Sequence, residues 1–89
     1  MTVVCLASYF KGNTFLRQLR QRGCRVVLVI KEKLRDEAWA HDSLDDVLTV
    51  SNQATADDFV ERVSEFARHH RVDRIVALEE YDVMHAAMI

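Results

Sequence analysis

Proline is absent from this chain of 89 residues, and glycine occurs only twice, at Gly12 and Gly23. Segments joining domains are commonly rich in Pro, Gly or polar residues, so no internal linker is expected and the chain reads as one domain. The glycine shortage excludes more. A dinucleotide-binding turn uses three closely spaced glycines to bring backbone against a pyrophosphate, and a phosphate loop needs G-x-x-x-x-G-K-[ST]; neither pattern occurs. The two cysteines, Cys5 and Cys24, form no C-x-x-C pair and lie in or beside apolar segments, where small buried thiols pack as hydrophobes. No apolar run is longer than that of residues 26–30, far too short to cross a bilayer.

Charge of one sign is also lacking. With 12 basic and 14 acidic side chains the formal balance is -2, which gives no general pull toward nucleic acid or anionic lipid. No Lys or Arg precedes Val3 and no long apolar stretch follows, so no secretory signal is expected and the protein is placed in the cytosol. Hydrophobic residues make up 49% and charged residues 29%, the mixture of an ordinary globular domain. A domain of this size buries only roughly 60 to 65% of the surface its unfolded chain exposes.

Four apolar segments alternate with amphipathic or polar ones, the pattern of a parallel sheet with crossover connections. Strands are expected at residues 2–7, 25–31, 46–50 and 74–78. The second carries five consecutive aliphatic residues rather than an alternation, so both its faces must be covered, as in doubly wound α/β sheets. A helix is expected from about Thr14, with Asn13 as N-cap and Gly23 just beyond its end. Another is expected over 56–70, capped by Thr55 with Asp58 three residues on, and closed by the basic run 68–71. Residues 33–42 suit either a short amphipathic helix through Leu34, Ala38 and Trp39 or a loop, with the helix preferred. After the fourth strand, Asp82 begins a further helix, and no Gly, Asn or Pro closes it before Ile89. The expected fold is a Rossmann-like α/β open parallel sheet of four strands with helices on both faces, cut within its last helix, as in the leading piece of a longer protein.

In such sheets ligands bind beyond the carboxyl ends of the strands. One candidate is the loop Ser8-Tyr9-Phe10-Lys11-Gly12-Asn13, which enters a helix N-terminus where free N–H groups can hold an anion; with a single glycine it reads more readily as a plain connector with Tyr9 and Phe10 packing locally. The stronger candidate is Glu79 and Glu80, paired acids at the end of an aliphatic strand, able to orient a cationic or hydroxyl-bearing substrate or to hold a neighbouring Arg. His69 and His70 are adjacent on a helix and point about 100° apart, so they read as helix-end cations rather than metal ligands. His41 and His85 have no partner at ligand spacing. No Ser/His/Asp or Cys/His nucleophile constellation assembles.

The stretch from Lys31-Glu32-Lys33-Leu34 to Trp39, the lead Leu44-Asp45-Asp46-Val47, and above all Val76-Ala77-Leu78-Glu79-Glu80-Tyr81-Asp82-Val83 followed by Ala86-Ala87 resemble the N-terminal domain of ATP-grasp proteins. The resemblance covers nearly the whole chain and is most specific in its last segment. It implies a three-part ligase in which a small-molecule carboxylate is activated by ATP as an acyl phosphate and captured by a nucleophile, often an amine. It further implies that ATP and Mg²⁺ are bound by later lobes of the same polypeptide, outside this chain, which alone is not catalytically competent. By position, the substrate-contacting residues it implies are Tyr9, Lys11, Gly12, Glu79 and Glu80, with no catalytic residue and no metal ligand here. The first loop carries less glycine than in several members of the family. Nucleic acid and membrane are not expected partners, and a homodimer stands among the partners considered.

Three other readings compete. A flavodoxin-like receiver would need acids after the first strand and an Asp closing the third, where this chain has Ala7-Ser8 and Val50-Ser51. A nicotinamide-binding module is disfavoured by the missing glycines, although Glu32 could mimic its ribose-binding acid. A binding or interaction module without catalytic activity remains the alternative.

Overall fold

The computed structural model describes residues 1–10 and 12–78. Lys11 and residues 79–89 lie outside them, and with them the helix expected after Asp82. The described residues form strand β1 (Thr2–Ala7), helix α1 (Asn13–Gln21), strand β2 (Arg25–Lys31), strand β3 (Asp46–Val50), helix α2 (Ala56–Ala67) and strand β4 (Arg74–Ala77). The sheet is parallel throughout, in the order β3-β2-β1-β4. This is the expected α/β open sheet.

Strand order dictates where the helices go. The chain steps from β1 to β2 to β3 in one direction and then returns past β1 to β4. Crossovers of one hand that travel in opposite directions must pass over opposite faces. The core divides accordingly. On one face Val3, Cys5 and Ala7 of β1 pack with Val26, Leu28 and Ile30 of β2, Leu16 of α1 and Trp39. On the other, Val4, Val27, Val29 and Val50 meet Phe59 and Val63 of α2. All five aliphatic residues of β2 are at most 3% exposed, each stabilising the fold by about 1.5–3 kcal/mol relative to exposure. Both cysteines are free, Cys5 buried and Cys24 half-buried. Burial, with Cys24 nearby, pushes the Cys5 thiol up to about 12.

Helix ends follow local chemistry, with two departures from expectation. Thr55 and Asp58 form the reciprocal cap: the Asp58 N–H donates to Thr55 Oγ1 at 3.3 Å and the Thr55 N–H to Asp58 Oδ2 at 2.9 Å. Gly23, at φ +79°, closes α1 through bonds from the Gly23 N–H to Arg20 O and the Cys24 N–H to Leu19 O, satisfying carbonyls the helix leaves open. Asn13, however, does not cap α1. The position before the helix is Gly12, with no side-chain cap, and the Asn13 amide is engaged elsewhere. Helix α2 stops at Ala67 rather than 70, because the His69 and His70 N–H groups both turn back to Phe66 O, tightening the last turn.

The preferred helix over 33–42 does not form. Two short 3₁₀ turns, Glu32–Leu34 and His41–Ser43, flank an irregular stretch. Tertiary demand outweighs helical spacing there: Trp39 is drawn into the α1-side core, its Nε1–H donates to Leu34 O at 2.8 Å, and backbone groups of Ala38 and Ala40 are taken by Asn13.

Two aspartates lock the opposite, amino edge of the sheet. Asp45, just before β3, accepts the Val26 N–H at 2.7 Å and returns its own N–H to Val26 O at 2.8 Å. Asp73, just before β4, accepts the Thr2 N–H at 2.8 Å and donates to Thr2 O at 2.9 Å. Each is paired with an arginine, Arg20 at 3.1 Å and Arg71 at 3.0 Å. The backbone donors, followed by the arginines, hold both carboxyls below the usual aspartate range.

Candidate functional site

Strand order reverses between β1 and β4, since β1 is followed on one side by β2 and on the other by β4. In open parallel sheets the crevice for ligands is expected beyond the carboxyl ends of such a pair. The β1–α1 loop and the end of β4 form its two banks.

Gly12 is the hinge of the first bank. Its φ of +97° belongs to the left-handed region, and a Cβ there would meet Leu78 Cδ1 at 2.9 Å. Leu78 is 1% exposed and part of the α1-side core, so it has little room to yield. The glycine is thus required twice, for backbone conformation and for close approach to the residue following β4. That contact sets the loop after β1 directly beside the point where the described chain ends at Leu78.

Tyr9 and Phe10 ride on the same loop. Tyr9 is 66% exposed, a large amphipathic ring presented to solvent. Phe10, 40% exposed, meets the edge of Trp39 with ring centroids 5.0 Å apart at 80°, a favoured aromatic geometry. Trp39 is buried and anchors that loop from below.

Three further bonds tie the loops of this edge together. Asn13 Nδ2 donates to Ala38 O and Asn13 Oδ1 accepts the Ala40 N–H, each at 2.9 Å, fastening the start of α1 to the β2–β3 connection. The Lys33 N–H donates to Asn52 Oδ1 at 2.8 Å, joining the segments that follow β2 and β3. Side-chain amides thus satisfy backbone groups that loops would otherwise leave to water.

Of the residues the sequence singled out, Tyr9 and Gly12 stand on the β1–α1 loop as expected. Lys11, Glu79 and Glu80 lie outside the described residues, and the last two follow Leu78 directly in sequence. The clamping roles of Asn13, Trp39 and Asn52 at this edge were not anticipated. Their roles depend on contacts across roughly twenty to thirty positions in sequence, and an Asn ahead of a helix carries no mark that separates a cap from a loop clamp. Among the described residues no three of His, Cys, Asp and Glu gather to hold a metal ion. No helix among them is long and apolar enough to cross a membrane.

Comparison with protein-family models, with curated proteins and with solved structures finds no match to this chain.

Proposed function

We propose that this chain is the substrate-side N-terminal domain of an ATP-grasp protein, the whole protein being an ATP-dependent ligase that joins a small-molecule carboxylate to an amine or related nucleophile through an acyl phosphate. The observation that carries the reading is the packing of Gly12 against Leu78. It brings the loop after β1 alongside the end of β4, the two segments that the resemblance assigns to one wall of the substrate cleft. In this reading Tyr9, Lys11 and Gly12 form one lip, and Glu79 and Glu80 form the other. The acids would orient an amino or hydroxyl group by charge-assisted hydrogen bonds, while Tyr9 would shield one side of the substrate from water. ATP and Mg²⁺ belong to later lobes, and no chemical step is completed by these residues alone. The reading carries with it a cytoplasmic location, where the nucleotide is available.

Two measurements test it. Sequencing the gene beyond the Ile89 codon should reveal a Gly-rich hairpin, a strand lysine and a pair of Mg²⁺-binding acids; a stop codon there would overturn the ligase reading. In the full-length protein, Glu79→Gln and Glu80→Gln should raise KM for the carboxylate substrate while leaving Mg-ATP affinity, measured by calorimetry, within about twofold. Unchanged KM in both variants would remove these acids from the substrate wall.

A binding or interaction module without catalysis is the second reading. It is favoured by Ile75, which is 53% exposed on edge strand β4 and pairs in register with Val4, on the face that α2 covers elsewhere. The same sequencing result separates the two.

A further inference from the structure

At the amino edge, opposite the candidate site, a cleft of about 240 Å³ opens between the strand starts and the turn that follows α2. Thr2 and Arg25 reach it from β1 and β2, and Phe66, His69, His70 and Arg71 from the other side. Positive side chains therefore converge from two separate stretches of chain. Cations after α2 are accounted for by the helix dipole, which favours positive charge at a carboxyl end. Arg25 is not, because it comes from the start of β2, where the carboxylate that feels its charge is Asp45. Arg25 makes no ion pair within 4 Å among the described residues. Arg71 spends only its Nε on Asp73, at 3.0 Å, and its side chain is 86% exposed, so the outer fork of that guanidinium is open to a second acceptor. His70 is held flat against Phe66, ring centroids 4.2 Å apart and 13° from parallel, which fixes its orientation as a side wall. The Asp73 carboxylate lies close by, but it is engaged by the Thr2 N–H and Arg71.

We propose that this cleft binds a small phosphoryl-bearing anion, gripped by Arg25 and the free fork of Arg71, with the His70 imidazole alongside. Two guanidinium groups approaching from different elements suit a compact tetrahedral anion with several acceptor oxygens. The volume exceeds the roughly 30 Å³ share of one water several times over, leaving room for a phosphoryl group and part of what carries it.

The test is a nitrogen–proton NMR titration of the 89-residue chain with sodium pyrophosphate, ionic strength being held constant with NaCl. Saturable shifts are expected at Thr2, Arg25, Val27 and residues 69–71, with residues 9, 10, 12 and 13 unmoved. Arg25→Gln should weaken pyrophosphate binding about tenfold, the loss of one charge-assisted contact, while Arg62→Gln, outside the cleft, should leave it unchanged. His70→Gln, expected to weaken binding about threefold, serves as the second variant should Arg25→Gln unfold the chain, which circular dichroism will show. Shifts that fail to saturate, that NaCl alone reproduces, that persist in both cleft variants, or that centre on the β1–α1 loop would each overturn the proposal.

Discussion

The two edges of this sheet are built on different chemistry. At the amino edge, β3 and β4 are each preceded by an aspartate that exchanges two hydrogen bonds with a neighbouring strand and pairs with an arginine. At the carboxyl edge, among the described residues, the connections are neutral amide-to-backbone bonds from Asn13 and Asn52, a glycine in the left-handed region and exposed aromatic rings. The first edge fixes strand alignment with full charges close to where the strands begin. The bonds that hold the second among the described residues are between uncharged groups. A parallel sheet directs its ligands to the carboxyl edge, and ionic groups there stay free for a substrate only if the fold does not use them.

The sharpest way to break the comparison is at Gly12. Gly12→Ala is expected to lower unfolding free energy by about 2–3 kcal/mol, combining the left-handed backbone cost with crowding against Leu78. Gly23→Ala is its control: φ there is +79° but nothing lies within 4 Å of an added Cβ, so only the backbone cost of about 1–2 kcal/mol applies. Urea unfolding of both variants reads the difference. Equal losses would mean that Leu78 gives way freely and that the two banks of the crevice are not held in fixed relation.

A smaller effect separates the edges by pH. Asp45 and Asp73 have folded-state pKa values below their unfolded ones, chiefly through the Val26 and Thr2 N–H donors, so the unfolded chain binds more protons in acid. Their contribution is therefore fully present above the ordinary aspartate value and is lost as pH falls below about 4. Asp45→Ala should cost about 1 kcal/mol at pH 7, less than a fully buried charged hydrogen bond because the group is partly solvated. The Arg20 Nε, buried without a partner among the described residues, further limits that pair. Urea titrations from pH 7 to 2.5 should show a shallower acid loss in Asp45→Asn combined with Asp73→Asn than in the parent chain. An unchanged acid limb would locate the sensitive carboxylates elsewhere.

How far the sequence alone reaches depends on whether the signal is local. The aliphatic runs at 3–7 and 26–30 mark their strands because burial on both faces leaves no alternation to misread, and Thr55 with Asp58, like Gly23, writes its helix end within a few residues. Residues 33–42 went the other way: Leu34, Ala38 and Trp39 have helical spacing, but Trp39 is worth more in the core and Asn13 competes for the same backbone. The candidate crevice is half legible. Gly12 stands out as one of two glycines, whereas its contact with Leu78 joins opposite ends of the chain. The aspartate locks have a visible trace, an Asp immediately ahead of both the third and the fourth strand, but nothing local distinguishes a clamp across strands from an ordinary polar residue at a strand start.

The last prediction asks whether the exposed rings at the carboxyl edge serve the fold. Phe10→Ala removes the edge contact with Trp39 and should cost about 0.5–1.5 kcal/mol, visible as a shift in Trp39 fluorescence, since this is the chain's only tryptophan. Tyr9→Ala, at a side chain largely in water, should change stability by no more than about 0.5 kcal/mol. If both hold, Phe10 belongs to the scaffold and Tyr9 does not, and a large ring kept in solvent beside Gly12 is available to a ligand. If Tyr9→Ala proves as costly as Phe10→Ala, the loop is a packed connector, and the contrast between a locked edge and an open one fails at the residue where it matters most.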